Sequence, residues 1–278
     1  MTQAPAGRVD PHWLSLRGPA DVRARTTFTA HLAAGLAQHL TTRLSDDGEV
    51  ASLVDVGAGR GAGAVWLRDR LPVHQDWRLV DHDPSILAAA APTVEGWAQG
   101  IVAGVGDLSR MLAEEPAQVV TCQALLDVLT ADEVDAMLAA AMASDAALLL
   151  SLSVNGEVAL APGHPDDDLV AGAFDAHQRR SDRLGPDGGA YAVSVLGEHG
   201  YDVTVAATPW HLGADERALS GAWLRGYAAA ALEQQPGYAD RIDRWQQSRE
   251  AAARDGELSV VVGHLDVLGL PVGSRAEA

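Results

Sequence analysis

The chain has 278 residues, 47% of them hydrophobic and 21% charged, an ordinary composition for a globular enzyme with room for a sizeable core. Its 38 acids face 20 basic residues, all of them arginine, for a formal charge of −18. No nucleic-acid partner is expected, because that affinity rests on basic groups displacing counterions.

No stretch approaches membrane-spanning length, and the start MTQAPAGRVDPHW lacks the basic flank and apolar run of a signal peptide. A cytoplasmic protein without membrane association is the expectation. The single Cys122 excludes an internal disulfide and a cysteine-based zinc site. It closes the apolar run QVVTC and reads as a small buried hydrophobe. HPDDD at 164–168 reads as a loop entering a helix with acids in its first turn, not as a metal site; no metal is expected.

Strand and helix signals alternate along the chain. The first 45 residues read as mostly helical, a cap over the sheet's carboxyl edge. VASLVDV (50–56) reads as a buried strand ending in glycine, and 61–71 as a helix stopped by Pro72. WRLVD (77–81) is a second strand, and Pro84 opens the next helix. GIVAGV (100–105) is a weak third strand before the short helix DLSRMLAE. QVVTC (118–122) is the fourth. Thr130, with Glu133 three residues on, marks the start of the helix ADEVDAMLAAAMA. AALLLSLSV (146–154) is the fifth strand, 166–180 a helix, and AYAVSVLGEHG a helix ended by Gly200. YDVTVAA (201–207) is a sixth strand, 214–234 and 238–254 are two helices, and 257–270 is the last strand.

Strands separated by helices imply an α/β fold with a doubly wound sheet and crossover helices on both faces. In such sheets ligands collect at the carboxyl ends of the strands. There the stretch VDVGAGRG (54–61) puts Gly57, Ala58, Gly59 and Gly61 on the turn leaving the first strand, where glycine lets the backbone bend sharply and approach a ligand. GAGRGA also fits the relaxed dinucleotide fingerprint, so the loop alone does not choose a cofactor. Asp55 tilts the choice. A carboxylate two residues before the loop repels a pyrophosphate and attracts the ammonium and sulfonium of S-adenosylmethionine. No basic residue follows Asp81 to meet an NADP phosphate.

Asp81, ending the second strand, suits the two ribose hydroxyls. His82 lies alongside the adenine or points to solvent. Asp107, in GVGDLS, accepts from the adenine amino group with Leu108 packing on the ring, or caps the helix it precedes.

VDVGAGRG, LVDHDP, GDL and VVTCQALLDVL, in that order over residues 50–155, resemble the motif series of the class I S-adenosylmethionine-dependent methyltransferases. That resemblance implies a Rossmann-like, seven-stranded mixed sheet with its last strand antiparallel. It divides one domain into a cap (1–45), a core (46–207 and 257–270) and a helical insertion (208–256), where the family has a tight hairpin. It gives the 57–61 turn the methionine part, Asp81 the ribose, Asp107 and Leu108 the adenine. Gln123 and Ala124 would face the sulfonium end.

The expected reaction is in-line methyl transfer to an O or N atom of a small molecule. Asp127 holds or deprotonates the acceptor, or makes a loop contact. His177, on the helix after the fifth strand, is a general base or a surface histidine beside arginines. Trp210 and His211 wall the substrate, or Trp210 packs on the insertion. Asp21 and Arg25 are spaced for a local ion pair; alternatively Arg17 or, by preference, Arg25 reaches the methionine carboxylate. The Ala-rich helix at 223–234 buries against the core or against a second copy as a homodimer. The rival readings are an NAD(P)-dependent oxidoreductase, a non-catalytic cofactor binder and an RNA methyltransferase.

Overall fold

Alternation of short β-branched runs with amphipathic helices builds one eight-stranded sheet, described by a computed structural model over residues 10–44 and 49–272. The strands are β1 (Val50–Val56), β2 (His74–Asp81), β3 (Ala98–Val102), β4 (Val119–Gln123), β5 (Ala147–Ala161), β6 (Tyr201–Ala207), β7 (Trp210–Leu212) and β8 (Ser259–Pro271). Their order is β3-β2-β1-β4-β5-β8-β6. β1 to β5 run parallel; β8 is antiparallel to both β5 and β6. The central strands are apolar on both faces, as a sheet covered by helices on either side requires.

The helices are α1 (Pro11–Ala24), α2 (Ala30–Arg43), α3 (Ala62–Arg68), α4 (Pro84–Val94), α5 (Leu108–Glu114), α6 (Ala131–Ala143), α7 (Asp167–Gln178), α8 (Gly188–Glu198), α9 (Arg217–Gln234) and α10 (Ala239–Asp255). On one face α5, α6 and α8 pack Leu112, Met137, Leu138 and Leu196 against Val54, Val120 and Leu148. On the other, α2, α3 and α4 pack Leu36, Leu40, Leu67 and Leu87 against Leu53, Trp77 and Leu149. Thr130 caps α6 through a reciprocal capping box with Glu133, as its spacing predicts. Gly256, with φ of +77°, ends α10.

Three features depart from the sequence reading. The sheet has an eighth strand, because β7 lies inside the segment expected to be wholly helical. It continues the edge begun by β6: Thr208 donates its amide to the His264 carbonyl, and Trp210 pairs with Val262. A three-residue strand is too short to show periodicity. The N-terminal segment is also not one cap. Leu32, Leu36 and Leu40 place α2 on the sheet face, and only α1 and the π-helical turn Arg25–Thr29 reach the carboxyl edge. The expected boundary between cap and core at residues 45 and 46 lies outside the described residues. Finally, β5 and β8 overrun the parallel strands as a ribbon, with β7 on the other edge of β8 and irregular register between Leu150 and Ser153 and between Val154 and Val158. α1, α7, α9, α10 and β7 close a third core around that ribbon, with Trp245, Leu224 and Tyr227 buried.

Candidate active site

Every loop at the carboxyl ends of β1, β2, β4 and β5 converges on one region. The turn after β1 needs glycine for two reasons at Gly57: φ is +62°, and a Cβ would lie 2.9 Å from Leu125 Cδ1. Two amides anchor this turn to β2. Ala58 donates to the Val80 carbonyl at 3.0 Å, and Gly59 donates to Asp81 Oδ2 at 2.9 Å. Asp81 Oδ1 accepts from the Asp83 amide at 3.0 Å, so this buried carboxylate ties two loops together. His82 stands exposed beside it, its Nδ1 3.5 Å from Asp81 Oδ1.

Asp55 is 2% exposed and accepts from Thr121 Oγ1 at 2.7 Å. Burial pushes its carboxyl up to about 6, against the pull of the Thr121 hydrogen bond and the Arg25 guanidinium. Gly63 shows how closely two acceptors crowd α3: a Cβ there would meet Gln123 Oε1 at 3.2 Å and Asp55 Oδ2 at 3.3 Å. Gln123 donates through Nε2 to Asp21 Oδ2 at 3.0 Å, but its Oε1 is buried without a partner.

Arg25 is also 2% exposed. Its guanidinium lies 4.5 Å over the Trp66 ring, and both Nε and one terminal nitrogen are buried without a hydrogen-bond partner. Burial lowers its pKa to about 10, opposed by Asp21, Asp266 and Asp55. The ion pair that the spacing of Asp21 and Arg25 would allow does not form. Asp21 is taken by Arg17 Nε at 2.8 Å, by Gln123 and by Trp210 Nε1 at 3.0 Å, which also commits Arg17. Arg25 is thus a buried cation with free donors, in the field of an acid whose neighbour, Gln123, has a free acceptor. Buried donors and acceptors of this kind are normally satisfied. A zwitterionic α-amino acid, offering a carboxylate and an ammonium, fits the set.

A cavity of about 340 Å³ adjoins this cluster at Ala124, which follows Gln123 with φ of +51°. Trp13 and Trp210 pack with ring centres 6.2 Å apart; Tyr227 lies between Phe174 at 4.3 Å and Trp223 at 4.5 Å. Half-buried Asp127 also lines it, with its carboxyl raised chiefly by burial. Leu152 lines it as well, in the left-handed region at φ of +54° where β5 bulges. Its amide donates to Asp266 Oδ1 at 2.7 Å, and Thr29 Oγ1 donates to Oδ2 at 2.8 Å. A fixed carboxylate therefore holds the strained backbone beside the cavity.

Several expected site residues stand elsewhere. Leu108 is 0% exposed among Leu112, Met111 and Val120, so its side chain belongs to the core and not to an adenine face. Asp107 does not cap α5; its half-exposed carboxylate turns back to accept from the Gly104 amide at 3.0 Å. His177 does not line the cavity. Its Nε2 meets Glu233 Oε2 at 3.1 Å, a surface pair at the end of α9. His211 is exposed, tilted against Phe28, while its neighbour Trp210 faces inward. Asp166 and Asp167 bind Arg241, Arg249 and Trp245, and no metal-binding group of acids, histidines or cysteine occurs among the described residues.

The residue that sequence reasoning missed is His264. It lies on the cavity wall, 3% exposed, 4.9 Å from the Trp210 ring. Its signal was the pair His264 and Asp266, alternate polar positions on one face of the otherwise apolar run SVVVGHLDVLGL.

No protein-family model matches the chain, and no curated protein sequence does. Among solved structures it is similar to the cyclopropane synthase MmaA2 from Mycobacterium tuberculosis, at 14% identity and a TM-score of 0.44 over 85% of this chain and 83% of that one. YjhP from E. coli aligns at 18% identity and 0.44, over 93% and 99%. Geranyl diphosphate methyltransferase, solved in complex with SAM, aligns at 13% and 0.42, over 86% and 84%. Likeness at this level assigns no activity. The sheet stands on its own order: doubly wound, Rossmann-like and mixed, with β8 antiparallel between β5 and β6.

Proposed function

We propose that the protein transfers the methyl group of S-adenosylmethionine to an O or N atom of a small molecule held in the cavity beside Ala124. The observation that carries this reading is the charge arrangement at the turn after β1: free guanidinium donors on Arg25, a free Gln123 Oε1, and the Asp55 carboxylate. A pyrophosphate would meet the Arg25 donors but also be repelled by Asp55 and the lone Gln123 acceptor. An α-amino acid meets one group for each of its charges.

S-adenosylmethionine supplies an activated methyl and a thioether leaving group. The chain's residues have the rest of the work: binding, orientation and exclusion of water. Gly57, Ala58, Gly59 and Gly61 give backbone approach without intervening side chains. Arg25 takes the carboxylate; Asp55 and Gln123 take the ammonium. Asp81, fixed by the Gly59 and Asp83 amides, keeps further lone pairs for ribose hydroxyls, and Asp107 accepts from the adenine amino group. His82 borders that end. Asp127 orients the acceptor from the cavity wall. The enclosure of the cavity by α1, α7 and α9 favours a small molecule over a polymer, and so does the charge of −18.

The test is transfer of label from methyl-tritiated S-adenosylmethionine into a fractionated cell extract. Label in the low-mass organic fraction is the expected result. Label confined to RNA or protein would overturn the small-molecule assignment. Absence of transfer with tight cofactor binding would favour a non-catalytic binder, and nicotinamide-dinucleotide binding in its place would favour an oxidoreductase.

A further inference from the structure

The cofactor reading leaves His264 unused. His264 Nδ1 is buried with no hydrogen-bond partner, and the residue lines a cavity that is mostly aromatic and aliphatic, its other polar walls being Arg17, Asp127 and Gln178. Its position is fixed on β8 by the pairing of Thr208 with the His264 backbone and by the Trp210 ring against its own. We propose that this cavity selects a neutral, flat aromatic molecule bearing a hydroxyl group, and that His264 receives the hydroxyl's hydrogen bond and then its proton.

Four observations lead there. Phe174, Tyr227 and Trp223 form a continuous ring stack, and Trp13 and Trp210 a second pair, so planar faces line the space. A volume of about 340 Å³ is at the small end of ligand pockets, enough for a fused ring pair. An ammonium ligand is disfavoured, because the Arg17 guanidinium already lies 5.2 Å over the Trp210 ring. An anionic ligand is disfavoured too: Arg17 is already paired with Asp21 at 2.8 Å, and Asp127 lines the cavity.

What remains is a neutral acceptor, and His264 matches it. Burial and the nearby Arg17 push the imidazole down to about 3, against the pull of backbone groups at Val262 and Thr208, so it is neutral at physiological pH and offers one acceptor lone pair. That makes it a good hydrogen-bond acceptor and a weak base. A weak base suffices, because a neutral hydroxyl becomes strongly acidic as its oxygen takes on a methyl group. In the transfer, the acceptor oxygen forms the new O–CH3 bond while the S–CH3 bond breaks. The S–C electron pair stays on sulfur, and the hydroxyl proton passes to His264 and on to solvent. The step rests on the methyl-transfer reading; recognition of the aromatic hydroxyl does not.

Calorimetry on the ligand-free protein separates the two. The probes are 2-naphthol, its methyl ether 2-methoxynaphthalene, and benzyltrimethylammonium. Wild type should bind 2-naphthol about threefold to tenfold more tightly than the ether, the value of one neutral hydrogen bond, and more tightly than the ammonium. His264→Phe should erase the preference for the hydroxyl, His264→Gln should restore part of it, and both should bind S-adenosylhomocysteine as wild type does. Equal affinity for naphthol and its ether in wild type would overturn the proposal. So would a preference that persists in His264→Phe, or tighter binding of the ammonium. If the naphthol preference holds but S-adenosylhomocysteine fails to bind wild type, the methyl-transfer reading falls and the cavity assignment stands.

Discussion

Replacing Arg25 by Met removes two free donors while keeping a long apolar stem over Trp66. If those donors hold a carboxylate, the loss is that of charge-assisted hydrogen bonds in a buried site. Such bonds contribute about 1.5–3 kcal/mol each, and not additively, so the pair should be worth about 2–4 kcal/mol, or roughly 30-fold to 700-fold in affinity. The assay is isothermal titration calorimetry with two ligands. S-adenosylhomocysteine carries the amino-acid end and should weaken by that factor; methylthioadenosine lacks it and should bind the variant as it binds wild type. Equal weakening of both ligands in a variant with an unchanged circular dichroism spectrum would refute the reasoning. So would unchanged binding of S-adenosylhomocysteine.

Asp55 predicts a pH dependence. With its carboxyl raised from 3.8 to about 6, the native state keeps a proton that the unfolded chain releases between those values. Stability is therefore greatest on the acid side of that window and falls as pH rises through it, by on the order of 3 kcal/mol from this group. Asp55→Asn should remove that component, which urea denaturation of both proteins at about pH 4 and about pH 7 would reveal. Leu108→Ala should cost about 2–5 kcal/mol by opening a core cavity, with affinity for adenosine ligands unchanged once the protein is folded. His177→Ala should leave methyl transfer within twofold (roughly) of wild type and stability within about 0.5 kcal/mol, because it breaks only a surface pair; a large loss of turnover would return it to the active site. Gly188→Ala should destabilise by about 1–3 kcal/mol, since its Cβ would lie 2.8 Å from the Leu126 carbonyl, and thermal denaturation would report it.

The positions of the strands were legible where β-branched and apolar residues gather between turn residues, as at 50–56 and 201–207. The glycine turn was legible for the same reason, since Asp55 and Gly57 mark where the first strand ends. Local signals did not carry residues whose meaning depends on a distant partner. Arg17 and Asp21 are local neighbours at i, i+4, but nothing around Asp21 announces Gln123 and Trp210, 102 and 189 positions away. Leu108 looked like a ring-packing residue because it follows Asp107, but helical periodicity with Met111 and Leu112 turns it into the core. His177 stood out by its place on the helix after the fifth strand, but its arginine neighbours belong to an exposed, ion-paired helix end. His264 was hidden by its apolar flanks. Only the pairing of β7 with β8, and the packing of α1 and α9 around them, turns that strand face into a cavity wall.

A crystal structure with bound S-adenosylhomocysteine tests the central claim most directly. The account predicts the amino-acid carboxylate on Arg25, the ammonium between Asp55 and Gln123, and the sulfur facing the cavity past Ala124. Density for the ligand away from Arg25, or with its sulfur turned from the Trp210 and His264 wall, would contradict it.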